Sequence, residues 1–165
     1  MQALKGAYLL SPGDGQTAAR VGLLHLWRLA ERARQGAQSP SITDDAVLAR
    51  KYFQEAVALM PGDARYQGFL AASMLTEAAI HKDEKLSRRA YFKMRDAIDA
   101  FPGFNLFTAG YVMSAQQAGS ERFEEGLHWQ WRNLDACAGA KVDRREPSFA
   151  NFMKLATTEG AKRVC

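Results

Sequence analysis

Small and large apolar residues follow one another at helical spacing ahead of each of three prolines in this chain. Ahead of Pro61, Ala49 is followed by Phe53 four residues later and by Ala56 three residues after that. On a helix these three side chains share one face, so a neighbouring helix can approach closely at the alanines and contact the ring between them. A proline then interrupts the helix because it lacks the backbone N–H that the next turn needs. The pattern predicts an amphipathic helix over about 44–59.

The same spacing recurs ahead of the other two prolines. It is complete in Ala90, Met94 and Ala97 before Pro102, and partial in Leu4 and Ala7 before Pro12. The three prolines lie 49 and 41 residues apart, so the chain repeats one unit at unequal intervals. Phe53 and Met94 are therefore predicted to occupy the same core position in successive units.

Apolar residues at helical spacing also predict a partner for each of these helices. The predicted partners span about 17–34, 64–79 and 105–117, and a last helix follows over 123–137. Residues 36–41 and 81–85 are predicted loops within the helix pairs. Beyond residue 138, one short amphipathic helix is predicted by apolar residues at i, i+3, i+4 and i+7, namely Phe149, Phe152, Met153 and Ala156.

The order of small residue, aromatic, small residue and proline resembles the second helix of a tetratricopeptide repeat, and residues 123–127 resemble the opening of one. The resemblance covers roughly residues 1–137. It implies an all-α fold of antiparallel helical hairpins stacked into a right-handed solenoid, with 138–165 as an extension whose short helix caps the array. A unit of this family has about 34 residues. The repeats are therefore degenerate, and longer helices with longer connecting loops are expected to absorb the surplus.

The resemblance also implies a concave groove lined mainly by the first helix of each repeat. The groove positions carried over to this sequence are Ala19, Leu23, Leu26 and Trp27, then Arg65, Gly68, Ala72 and Leu75, and then Leu106, Ala109, Met113 and Gln116. Family members that grip a terminal carboxylate use lysine and asparagine at these places, whereas alanine, leucine and glycine predominate here. The groove is expected to suit an apolar helix or an extended hydrophobic segment of another protein.

Two interpretations of this apolar groove remain open. The chain is a non-catalytic scaffold that binds a protein segment there, or an accessory or structural subunit whose helical array assembles with a second copy of itself. In the second case the groove residues bury one another, or the chain's own tail with Phe149 and Phe152 covers them.

Composition and charge exclude several other classes of partner. The chain has 165 residues, of which 47% are hydrophobic and 24% charged, with a net charge of +4. These values are ordinary for a globular domain. The arginines form small separate clusters, which disfavours a nucleic-acid partner. No apolar run approaches the roughly 20 residues that a membrane-spanning helix needs.

The sequence lacks the residue arrangements of common catalytic sites. No serine lies in a Gly-x-Ser-x-Gly context, and the glycines at 13 and 15 do not follow a strand as a phosphate-binding loop would. Glu124 and His128 lie one helical turn apart, but two ligands do not make a metal site, and a surface pair is expected. His25, between two leucines, is expected in the core or the groove. No enzymatic activity, cofactor or metal is predicted.

The chain opens on the second helix of a repeat with no first helix before it, which favours a piece of a longer protein. The compartment stays open for that reason, with a cytoplasmic location preferred to a periplasmic one. Cys137 and Cys165 are expected to be thiols, because an all-helical domain of this size does not need a disulfide for stability.

Overall fold

Helices account for all regular secondary structure in the part of the chain that is described. A computed structural model describes residues 2–35 and 42–138, with side chains over 2–31 and 42–133. The helices are α1 (Gln2–Leu10), α2 (Gly15–Gln35), α3 (Ile42–Leu59), α4 (Ala64–His81), α5 (Glu84–Ala100), α6 (Pro102–Met113) and α7 (Glu121–Ala138). Within the described residues the predicted all-α class is confirmed. The predicted helix around Phe149, the loop 36–41 and both cysteine side chains lie outside the part that is described.

Two turns of matching sequence precede α2 and α4. Asp14 and Asp63 follow the Pro-Gly pairs of these turns, and each caps the helix after it. Asp14 Oδ1 accepts from the Gln16 backbone N–H and Asp63 Oδ1 from that of Arg65, both at 3.0 Å. These carboxylates satisfy N–H groups that a helix leaves free in its first turn. The Thr17 hydroxyl holds the pKa of Asp14 below its usual value, and the Arg65 side chain does the same for Asp63.

The connector between α4 and α5 is shorter than predicted. Only two residues separate the helices, in place of the expected loop 81–85. Lys82 adopts a left-handed conformation with φ of 54°, and its backbone N–H bonds to the Ala78 carbonyl, as does that of Asp83. This arrangement satisfies the last carbonyls of α4 and stops it. Longer helices, and not a longer loop, therefore absorb the extra residues of this repeat.

Pro102 both follows the end of α5, as predicted, and begins α6. A proline fits the first position of a helix because no partner is available for an N–H there. Consequently α6 occupies Pro102–Met113 and not the predicted 105–117. Gly119, with φ of 79°, supplies the turn before α7, where the Ser120 hydroxyl accepts from the Phe123 N–H at 3.3 Å.

The chain divides into two units, residues 1–93 and 94–165. In the first unit, α2 packs against α1 and α3, and α3 packs against α4. Phe53 lies inside this unit with no exposed surface, and its ring stacks on Phe69 at 5.3 Å between centroids. A Cβ on Gly22 of α2 would lie 3.1 Å from the Phe53 ring, so α2 contacts the ring with its backbone.

The core positions predicted from the repeated spacing are confirmed. Three residues of α3, Ala49, Phe53 and Ala56, are 0% exposed, and so are the corresponding Ala90, Met94 and Ala97 of α5. A small residue, a large residue and a small residue at these intervals therefore mark the buried face of both helices.

In the second unit, α6 and α7 approach closely at two glycines. A Cβ on Gly126 would lie 2.7 Å from Met113 Cβ and 2.8 Å from the Ser114 nitrogen. Gln130 Nε2 of α7 donates to the Gly110 carbonyl at 3.1 Å and to the Ser114 hydroxyl at 3.0 Å. The backbones of α6 and α7 are thus too close for side chains at these two positions.

Candidate functional site

The groove residues predicted on α2 are divided between buried and exposed positions. Ala19 is 2% exposed and belongs to the core, and Leu26 is half-buried. Leu23 and Trp27, one turn apart on the helix, are 38% and 59% exposed. α2 therefore presents an apolar surface pair, Leu23 and Trp27, at two of the predicted groove positions.

Most groove residues predicted on α4 and α6 are buried. Among them, Gly68, Ala72, Leu75, Leu106, Ala109 and Met113 are all buried, whereas Arg65 is exposed and Gln116 half-buried. Arg65 bonds to Asp63 through its guanidinium at 2.6 and 2.9 Å. The α4 residues belong to the first unit and the α6 residues to the second. The buried side chains expose no surface that a ligand could contact in this conformation. A groove lined by these residues stays a prediction.

Most residues of the helix α4 are buried. Its buried residues include Tyr66, Leu70, Ala72, Leu75 and Ala78, which lie around most of the helix circumference. A helix with apolar residues all round lies in the interior of a protein. Of its predicted groove positions, Gly68, Ala72 and Leu75 are therefore interior, whereas Arg65 is exposed.

A buried polar pair joins α2 to α3. His25 Nδ1 lies 2.7 Å from Asp45 Oδ1, and both side chains are at most 3% exposed. The Tyr52 ring stacks on the imidazole, with centroids 5.9 Å apart and planes 3° from parallel. Arg28 Nη1 lies 3.4 Å from the same carboxylate oxygen. The prediction that His25 lies in the core or the groove is thereby resolved in favour of the core.

Sequence reasoning did not identify this pair, since His25 and Asp45 lie 20 residues apart. The available signal was the helical register of α3. Asp45 lies four residues before Ala49 and eight before Phe53, and therefore on the buried face of its helix. An acidic residue on that face needs a buried partner, because an unpaired charge is costly to bury.

A second polar contact joins α1 to α3. The Tyr8 hydroxyl donates to Glu55 Oε2 at 2.5 Å, and the Tyr8 ring meets Tyr52 edge-on at 5.2 Å. The hydrogen bond to Glu55, together with burial and the charge of that carboxylate, raises the pKa of Tyr8 to about 12. The usual value is about 10.

This contact predicts an alkaline loss of stability. Because the folded-state pKa of Tyr8 exceeds the unfolded one, its stabilising effect is complete below about pH 10 and declines as the pH rises towards about 12. An ionised Tyr8 can no longer donate to Glu55 and repels it. Urea melts at about pH 8 and pH 11 should show a larger loss for the native chain than for Tyr8→Phe. Tyr111→Phe, at an exposed tyrosine of α6, should behave as the native chain does, and equal losses in all three proteins would contradict the prediction.

The polar clusters are suited to holding helices together rather than to reaction chemistry. His25 is 1% exposed, so its imidazole is not accessible to a dissolved substrate. In the described part of the chain, no group of three His, Cys, Asp or Glu side chains is arranged to hold a metal ion. Glu124 and His128 are both exposed on α7. None of the described helices has the length and apolar character needed to cross a bilayer.

Comparison with protein-family models, with curated proteins and with solved structures gives no match to this chain.

Proposed function

We propose that this protein is a non-catalytic interaction domain of tetratricopeptide-repeat type, whose hairpins stack as a right-handed solenoid. In this proposal, the surface pair Leu23 and Trp27 of α2 binds an apolar helix or extended segment of a partner protein. The observation that carries the proposal is the exposure of these two side chains at positions where the family places groove residues.

The physical character of the pair supports this function. A tryptophan that is 59% exposed has a large apolar area that becomes buried when a partner covers it. Tryptophan is enriched among the few residues that dominate binding energy at protein interfaces. The other side of α2 is anchored by Val21, Gly22 and His25, which are buried. The pair is thus presented on a fixed helix, so little ordering is needed when a partner binds.

The buried position of the His25–Asp45 pair supports a non-catalytic role. A histidine bonded to a carboxylate is a common part of catalytic sites. Here the pair is covered by Tyr52 and lies inside the α2–α3 contact. Its geometry serves to fix α2, the helix that presents Leu23 and Trp27, against α3.

A peptide-display selection against the immobilised full chain tests this proposal. We expect enrichment of peptides with apolar residues at helical spacing or in an extended run. The double variant L23A/W27A should bind the enriched peptides at least about tenfold more weakly, because truncation of a central aromatic costs 2 kcal/mol or more at interfaces of this kind. Both side chains are exposed, so the variant should melt as the native chain does.

The matched control is Trp131→Ala, which removes a tryptophan that is 65% exposed on α7 and outside the predicted groove. It should retain the affinity of the native chain for the peptides. Equal binding by L23A/W27A and the native chain would show that α2 is not the binding face. If the native chain instead self-associates in sedimentation and L23A/W27A is monomeric, the pair joins copies of this chain and the proposal for a separate partner is wrong.

A further inference from the structure

The helix α6 carries an exposed aromatic strip, formed by Phe104, Phe107 and Tyr111. Phe107 and Tyr111 are 63% and 55% exposed, and their rings stack with centroids 6.4 Å apart. Phe104 is half-buried one turn earlier and stacks on Phe101 at 6.2 Å. No residue of α6 is charged. The strip is therefore a continuous apolar face that lies outside the predicted groove positions.

The close contact between α6 and α7 explains why these rings are outside. The small residues of α6, such as Gly110, lie against α7, and a Cβ there would be 2.5 Å from Gln130 Cγ. The large rings cannot enter so narrow a contact and remain on the other side of the helix. Such a face is costly to leave in water, because each ring holds a large apolar area.

We propose that residues 147–156 of the same chain cover the aromatic strip. This segment lies outside the described residues, and its sequence supplies a matching surface. Phe149, Phe152 and Met153 recur at helical spacing, and Asn151 and Lys154 fall on the opposite side. A short helix of this pattern has an apolar side for the strip and a polar side for solvent.

The chain between α7 and this segment is long enough for the contact. α7 has 18 residues and a length of about 27 Å at 1.5 Å per residue. The eight residues 139–146 can span up to about 26–29 Å when extended. The connection can therefore return along α7 and bring the segment beside α6, which packs against that helix.

Charge also favours this occupant. Residues 94–138 contain three basic and six acidic residues, a net charge of −3. Residues 139–165 contain six basic and three acidic residues, a net charge of +3. The tail is therefore attracted to residues 94–138, which precede it in the same unit. A tail in this position covers the strip, so any other apolar partner must displace the tail.

Photo-cross-linking in the full chain tests the contact. p-Benzoylphenylalanine in place of Phe107 should cross-link within the monomer to residues 147–156, as mapped by mass spectrometry. A dimeric product would show that a second copy covers the strip, and the absence of a product with the tail would show an open strip. Either result overturns the proposal.

Proteolysis gives an independent readout. Because cleavage follows the population of the opened state, trypsin should cut at Lys154 at least about tenfold more slowly than at Arg144 or Arg145. In the double variant F149D/F152D the rates should converge and the cross-link from position 107 should disappear. N151D, which places one charge on the polar side of the segment, should leave both readouts unchanged. Equal cleavage at Lys154 and Arg144 in the native chain would refute the contact.

Discussion

Phe53→Ala is expected to lower the free energy of unfolding by about 3–5 kcal/mol, the cost of replacing a buried aromatic ring by a cavity. Phe53 is 0% exposed, and its ring stacks on Phe69 with 5.3 Å between centroids. On the α2 side the ring meets Gly22, which has no side chain to fill the vacated space. The cavity should therefore persist in the folded state.

The measurement is a urea melt of the variant beside the native chain. Phe92→Ala is the matched control, because it makes the same chemical change at a phenylalanine that is 56% exposed. It should cost less than about 0.5 kcal/mol, as most surface substitutions do. A cost below about 1 kcal/mol for Phe53→Ala would contradict the packing of α2, α3 and α4 around this ring.

Local signals predicted the helices of this chain well. Pro61 marks the end of α3, since it removes a backbone donor. The spacing of Ala49 and Phe53 determines which face of α3 is buried, and periodicity alone is enough to identify that face. Each of these features involves residues within a few turns of one another.

The surface of α6 could not be predicted in the same way. The helix has no charged residue, so hydropathy does not distinguish its buried face from its exposed one. The burial of Ala109 and the exposure of Phe107 follow from how closely α7 approaches at Gly126, which is a tertiary feature. Residue size decides the outcome: where two backbones nearly touch, small residues lie inside and large rings outside.

Nor could the groove be predicted from family positions alone. Assigning groove positions from a regular repeat assumes that the first helix of each unit has one exposed face. On α4 that face is largely closed, because Gly68, Ala72 and Leu75 are buried and Arg65 alone of the predicted positions is exposed. α2 does keep an exposed face with Leu23 and Trp27. The predicted positions are therefore available for binding on one helix and belong to the core on another.

The polar contacts between helices show the same dependence on tertiary structure. Arg50 of α3 donates from Nε to Glu77 of α4 at 2.5 Å, with the Glu77 side chain 8% exposed. His25 and Asp45 form the corresponding contact between α2 and α3. Such pairs fix the register of packed helices, since a shift of one residue would leave a polar group buried without its partner.

Asp45→Ala should therefore destabilise the chain by about 1–3 kcal/mol, the usual cost of leaving a buried hydrogen-bonding group without its partner. The substitution would leave His25 Nδ1, now 2.7 Å from Asp45 Oδ1, without that acceptor in a site that excludes water.

Asp44→Ala is the control, because both residues lie in the first turn of α3 but Asp44 is exposed. Asp45→Asn keeps an oxygen acceptor at nearly the same volume and should fall between the two. In urea melts, equal costs for Asp44→Ala and Asp45→Ala would mean that Asp45 acts only through the helix dipole, worth about 0.3–1 kcal/mol, and that the buried pair does not hold α2 to α3.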